Sequence, residues 1–145
     1  MAGHMISLYL LERGHSVIGY SRRKTNLIPG FNFPLFDHCQ LKEAIMKADP
    51  DVVVNCVGVL NQAAENNKAE AVYINSYLPH YLVSILKGTE KKLVHLSTDC
   101  VFSGQRGVYR DSDIPDGQTF YDKSKALGEV RDDQNLTFRN SIIGP

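Results

Sequence analysis

No charge of one sign dominates this chain. Sixteen lysines and arginines balance sixteen aspartates and glutamates in 145 residues, so no electrostatic argument points to DNA, RNA or an anionic membrane surface as a partner. No apolar run approaches the roughly 20 residues that a membrane span needs. The opening Met1-Ala2-Gly3-His4-Met5 carries no charged n-region, so no secretory signal is expected and the cytoplasm is the expected location. Cysteine is scarce. Cys39, Cys56 and Cys100 are odd in number and widely spaced, with no C-x-x-C pair and no Cys/His cluster of zinc spacing. They read as buried, reduced thiols, with no metal site. Internal repeats and low-complexity segments are also absent. What remains is an ordinary globular composition, 43% hydrophobic and 22% charged, long enough for one domain with its own core.

The pattern along the chain alternates strand and helix, which predicts a parallel sheet covered by helices, a Rossmann-like doubly wound α/β fold. Residues 6–13 read as a helix closed by Gly14, and 16–20 as a short strand. Residues 21–30 read as a loop, and 31–36 as a strand interrupted by Pro34. A short helix over 41–48 is stopped by Asp49-Pro50-Asp51. The β-branched run from Val52 to Val57 fits a strand buried on both faces. A long helical stretch over 62–87 has Pro79 as a break or second start. Residues 92–97 form the next strand, 103–119 a long loop, 120–130 a helix and 136–143 a final strand.

A doubly wound domain normally opens with a buried strand and a glycine-rich turn into its first helix. Here a helix comes with no strand before it, and Gly144-Pro145 follow directly on the last strand. The expectation is one nucleotide-binding domain over 1–145, truncated at both ends, with the first strand and a C-terminal substrate region absent. In the usual strand order the absent strand lies mid-sheet, so two edges would lose their partner.

Three side chains carry the chemistry. Tyr121 and Lys125 stand four apart on the expected helix and share a face. A phenol ionises near pH 10, and a nearby ammonium favours the phenolate and should lower that value. Such a phenol can give a proton to a developing alkoxide or take one from an alcohol. Thr98 ends a strand at its carboxyl edge, where ligands bind in open α/β sheets, and its hydroxyl could hold a substrate oxygen. Spacing alone also fits an exposed Tyr/Lys pair with no chemistry. Tyr20 and Lys24 repeat the same spacing where a strand runs into a loop, so helical geometry does not apply to them.

Cofactor candidates follow the strand ends. Gly3 at a helix start suits close approach of a pyrophosphate, or is simply a helix-start glycine. Ser21, Arg22, Arg23 and Lys24 follow the second strand, where NAD binding calls for an acidic residue. None is present, and guanidinium groups suit a 2′-phosphate, which favours NADP(H) over NAD(H). A solvated basic loop is the alternative. Asp37 could accept from an adenine amino group or cap a helix. Cys56, Val57 and Gly58 end the Val52 strand, and Gly58 would let backbone approach a cofactor. Asn75, mid-helix, either braces the site or faces solvent. His80 and His95 read as structural.

Ser97-Thr98-Asp99-Cys100-Val101-Phe102-Ser103-Gly104 followed by Tyr121-Asp122-Lys123-Ser124-Lys125-Ala126-Leu127-Gly128-Glu129 resembles the extended short-chain dehydrogenase/reductase superfamily, and within it the dTDP-4-dehydrorhamnose reductase group of sugar-nucleotide reductases. Asp51-Val52-Val53-Val54-Asn55-Cys56, Ile74-Asn75 and Arg139-Asn140-Ser141-Ile142-Ile143-Gly144 support it. The resemblance implies hydride transfer from NAD(P)H to the C4 ketone of a nucleotide-linked deoxysugar in polysaccharide biosynthesis. Tyr121 would be the proton donor. Lys125 would hold the nicotinamide ribose and tune Tyr121, and Thr98 would orient the carbonyl. Ser97, Asn140 and Ser141 would lie by the cofactor, with segment 139–142 near the nicotinamide. A homodimer of the full-length protein is compatible with the resemblance. Cys100 stands where the family usually has an aromatic residue and where its dehydratases place Glu, which argues against water elimination. Epimerases share the catalytic set and stay open, as does a non-catalytic NADP(H)-binding regulatory module. The 145 residues alone are expected to bind cofactor poorly and turn over nothing.

Overall fold

A computed structural model describes residues 2–22, 28–32 and 37–141. The chain divides into two compact units, residues 1–51 and 52–145.

In the first unit, α1 (Ala2–Glu12) begins earlier than the sequence pattern suggests. It ends as expected at Gly14, whose φ of +83° suits a residue without a Cβ. The Gly14 amide bonds the Leu11 carbonyl and the His15 amide the Leu10 carbonyl, at 2.9 and 3.0 Å, the double closure of a Schellman turn. No residue of α1 is buried. The strand expected over 16–20 is shorter and later: β1 (Gly19–Ser21) pairs in parallel with β2 (Gly30–Asn32). The expected strand residues 33–36 lie outside the described residues. Helix α2 (His38–Ala48) is capped by Asp37 and ends at Asp49 in a left-handed conformation. Pro50 disfavours continued helix at the residue before it.

In the second unit, β3 (Val52–Asn55), β4 (Lys92–Ser97) and β5 (Leu136–Arg139) form a parallel sheet in that order. Val53 aligns with Leu93, Asn55 with His95 and Ser97 with Arg139. Leu93, His95 and Ser97 are buried, and α5 (Leu78–Leu86), with its buried Leu82 and Leu86, packs against β4. The opposite face is only partly covered: Val52, Leu136 and Phe138 are exposed. The expectation that the Val52 strand is buried on both faces is therefore corrected. Register places Val52 beside Lys92, on the open side.

The long helix expected over 62–87 is several pieces. Helix α3 (Asn61–Asn66) ends at Asn67, whose side chain caps α4 (Lys68–Ala71). The chain then widens into a π-helical segment, Val72–Tyr77, before α5. Pro79 explains the widening. It has no N–H to offer the carbonyl four residues back, and its ring would clash with that carbonyl, which belongs to Asn75. A π turn relieves both. Pro79 thus stands in the first turn of α5, as the second start expected there. Helix α6 (Phe120–Leu127) is shorter than the expected 120–130, and β5 stops before the expected 143.

Candidate active site

The carboxyl end of β4 turns sharply at Thr98. Its hydroxyl oxygen accepts from the Cys100 amide at 3.2 Å, capping a short 3-10 turn, Asp99–Val101. A loop over 102–118 leads to Thr119, which opens α6 with a reciprocal capping box. The Asp122 amide donates to Thr119 Oγ1 at 3.1 Å, and the Thr119 amide donates to Asp122 Oδ2 at 2.9 Å. The Phe120 amide donates to Glu65 Oε1 at 2.8 Å. Three orphan amides at the helix start, those of Thr119, Phe120 and Asp122, are satisfied this way, and the start of α6 is anchored where Tyr121 emerges.

Tyr121 is buried against Ala64 and Ala71, with Val59 and Phe120 alongside. The Thr98 hydroxyl donates to Asp99 Oδ1 at 3.2 Å and stands near enough to the Tyr121 phenol to lower its pKa. Lys125, one turn on, is 3% exposed, and its Nζ donates to the Leu96 carbonyl at 2.7 Å. The three residues singled out as catalytic therefore meet at the end of β4. The helical Tyr/Lys pair is not a solvent-exposed one, and the second copy cannot be compared because Lys24 lies outside the described residues. One electrostatic expectation is corrected. Burial pushes the Tyr121 phenol up from its ordinary value, with the Thr98 hydroxyl pulling the other way. The Lys125 ammonium is turned onto the β4 backbone, and burial outweighs any lowering. Lys125 itself is pulled down to about 8 by burial, opposed by the Glu129 carboxylate.

Asn75 braces this arrangement and is fully buried. Its Oδ1 accepts from the Val59 amide and its Nδ2 donates to the Val59 carbonyl, both at 2.8 Å. The same Nδ2 donates to Ser124 Oγ at 3.0 Å, and Ser124 Oγ donates to the Tyr121 carbonyl at 2.8 Å. One carboxamide thus joins the turn after β3 to the helix that carries Tyr121 and Lys125. In that turn the Val57 amide donates to Asn55 Oδ1 at 3.1 Å, and Asn55 Nδ2 lies 3.1 Å from His95 Nδ1. Around Gly58 there is room: a Cβ there would meet only Asn75 Oδ1, at 3.6 Å.

Ser97 is buried, and its hydroxyl donates to Glu129 Oε1 at 3.1 Å, so its side chain serves the helix end rather than an open site. At the end of β5 the Ser141 hydroxyl donates to Asp99 Oδ2. Asn140 Oδ1 is buried with no hydrogen-bond partner among the described residues. Ile142 lies outside the described residues. In the first unit, Gly3 sits in the opening turn of α1, Ser21 ends β1, and exposed Arg22 follows it. Arg23 lies outside the described residues. Of the two roles open to Asp37 the structure shows the cap: its oxygens accept from the amide and the side chain of Gln40.

The cysteines are free, as expected, but Cys39 and Cys100 are exposed and only Cys56 is half-buried. Burial pushes the Cys56 thiol up. His95 and His80 are structural. His95 is fully buried against Asn55, and His80 Nε2 bonds the Leu127 carbonyl at 2.9 Å. Among the described residues no group of three or more His, Cys, Asp or Glu could hold a metal ion, and no helix is long and apolar enough to cross a membrane.

Sequence reasoning missed a buried ion pair behind the site. Arg139 Nε donates to Glu129 Oε1 and an Arg139 Nη donates to Glu129 Oε2, both at 2.7 Å. Opposite charges ten residues apart across a helix end and a strand give no periodic signal.

The family described as RmlD substrate binding domain matches residues 2–139. A probable low-salt glycan biosynthesis reductase of Haloferax volcanii is 31% identical over 138 residues, 91% of this chain and 46% of that protein. The crystal structure of a hypothetical dTDP-4-dehydrorhamnose reductase from Sulfolobus tokodaii superposes with a TM-score of 0.85 at 34% identity, over 94% of this chain and 50% of that one. The Bordetella bronchiseptica enzyme WbmG, crystallised with NAD and UDP, shares the fold at a TM-score of 0.79 and 16% identity, over 96% of this chain and 49% of that one. The chain spans about half the length of the relatives it matches. With α/β layers, parallel strands and this match over nearly its whole length, the chain belongs to the RmlD substrate binding domain family.

Proposed function

We propose that this chain forms the catalytic half of an NAD(P)H-dependent reductase acting on a 4-keto, nucleotide-linked deoxysugar. The observation that carries the reading is the convergence at the end of β4 of Thr98 and the buried Tyr121 phenol, with the Lys125 ammonium one turn along the same helix, donating to the Leu96 carbonyl.

In this reading the substrate carbonyl oxygen takes the place between the two hydroxyls. Thr98 orients it, and Tyr121 gives up its proton as negative charge develops there. Burial keeps the Tyr121 phenol protonated at neutral pH, and the negative charge developing on the carbonyl oxygen draws the proton off. Lys125 spends one N–H on the Leu96 carbonyl and keeps donors for a ribose. A bound nicotinamide would supply the hydride. The residues fit such a group: the space around Gly58 is open, and the buried Asn140 Oδ1 needs a donor, which a carboxamide or sugar hydroxyl supplies. In the sequence Arg22, Arg23 and Lys24 follow β1 with no acidic residue among them, which favours NADP(H) in the proposal. A sugar nucleotide is the proposed partner and the cytoplasm the proposed location.

The test uses the full-length protein, NADPH and a dTDP-4-keto-6-deoxy sugar. Tyr121→Phe is expected to lower kcat by about 10²–10⁴-fold while cofactor affinity holds. Undiminished turnover by Tyr121→Phe would overturn the mechanism. An NADPH preference unchanged by Arg22→Ala, or an NADH preference in the wild type, would overturn the cofactor choice.

A further inference from the structure

The loop over 102–118 joins the two catalytic groups, since it leaves the turn capped by Thr98 and enters the helix bearing Tyr121. Any movement of the loop therefore acts on the spacing between the two hydroxyls. A hub inside the loop organises it. Asp116 accepts from the Ser103 amide at 2.7 Å, the Ser103 hydroxyl at 3.0 Å and the Tyr109 phenol at 3.0 Å. Its far end is pinned by the Asp116 and Gly117 amides, both donating to the Val101 carbonyl.

A second device holds the loop from outside. Four side chains stack in a column. The Arg106 guanidinium lies 5.1 Å from the Tyr109 ring centre, the Tyr109 and Phe102 rings stack at 4.4 Å, and the Arg139 guanidinium lies 4.7 Å from the Phe102 ring centre. Arg139 closes the column on the body of the sheet. One edge clamps Glu129 in a bidentate pair, and Nη1 donates to the Asp111 carbonyl at 3.0 Å in mid-loop. Glu129 in turn accepts from Ser97, the residue before Thr98. Only a planar, five-donor guanidinium can clamp a carboxylate, reach a carbonyl and stack on a ring at once.

We infer that Arg139 is a positioning residue: through Phe102 and the Asp111 carbonyl it holds the 102–118 loop, and thereby the spacing of Thr98 and Tyr121. The catalytic part of this inference rests on the reductase reading, whereas the loop-holding part does not.

The experiment compares full-length wild type with Arg139→Lys, and separately with Phe102→Leu, which leaves the Glu129 pair intact should Arg139→Lys fail to fold. Trypsin cleavage after Arg106 and Arg110 reports the loop, and steady-state kinetics report the site. The expected result is cleavage faster by about tenfold and kcat lower by about tenfold, with NADPH affinity unchanged and Phe102→Tyr restoring both. Wild-type cleavage rates in both variants would overturn the inference, as would faster cleavage with unaltered kcat. A wild-type protein inactive on every 4-keto sugar nucleotide would sink the reductase reading, while the cleavage rates would still decide whether Arg139 holds the loop.

Discussion

Asn75 and Ser124, far apart in sequence, meet in the core: Asn75 Nδ2 donates to Ser124 Oγ at 3.0 Å. The contact joins a π-helical turn to the helix that carries Tyr121 and Lys125, and the same amide holds both backbone groups of Val59. Replacing Asn75 with Ala leaves the Val59 amide and carbonyl without their partner. Each buried group so stranded costs about 1–3 kcal/mol. Urea unfolding should show a loss on the order of 3 kcal/mol, and Asn75→Asp should fail to recover it, because a carboxylate cannot donate to Ser124 and the Val59 carbonyl.

Gly128 is the second fixed point of that contact. A Cβ built on it would lie 1.8 Å from the Asn75 carbonyl oxygen, an obstacle of backbone rather than of a flexible side chain. Gly128→Ala would ordinarily gain up to about 1 kcal/mol near a helix end. Here the clash reverses the sign, and a net loss of about 1–3 kcal/mol is expected. A melting temperature at or above wild type would show that α6 can move away from the π turn at no cost.

Activity should fall at alkaline pH as Lys125 loses its proton. Burial draws its pKa down to about 8, and Glu129 raises it. Glu129→Gln removes that support, so the alkaline limb of kcat/KM should move to lower pH, while Glu129→Asp moves it less. Stability runs the opposite way. Between about 8 and the ordinary lysine value the unfolded chain holds the proton that the folded one has released, so this group's contribution to stability rises with pH across that window. An alkaline limb unmoved by Glu129→Gln would refute the coupling.

His95 predicts acid sensitivity. Burial first, and then the Lys125 charge, pull its pKa down to about 3, with Glu129 opposing. Between about 3 and the ordinary histidine value the unfolded chain binds a proton that the folded chain refuses. Stability is therefore full above that window and is lost as pH falls through it. A thermal melt series from pH 7 to pH 4 should show a steeper decline for wild type than for His95→Gln, which carries no titrating group there.

The sequence by itself determined the order of strands and helices, the closure at Gly14 and the three residues that could handle a proton. Those features are local: periodicity, turn chemistry and a four-residue helical spacing are written in neighbouring residues. Asn75 was legible as an anomaly, an amide where a helix wants something else, but not its partners. The tertiary structure decided the rest. It set Thr98 near the Tyr121 phenol, the orientation of Lys125 onto Leu96, and a burial that raises the Tyr121 phenol where charge spacing suggested lowering. It also decided that Ser97 and Arg139 serve Glu129. Each depends on residues brought together across strands and helices, where desolvation and hydrogen-bond geometry outweigh proximity along the chain.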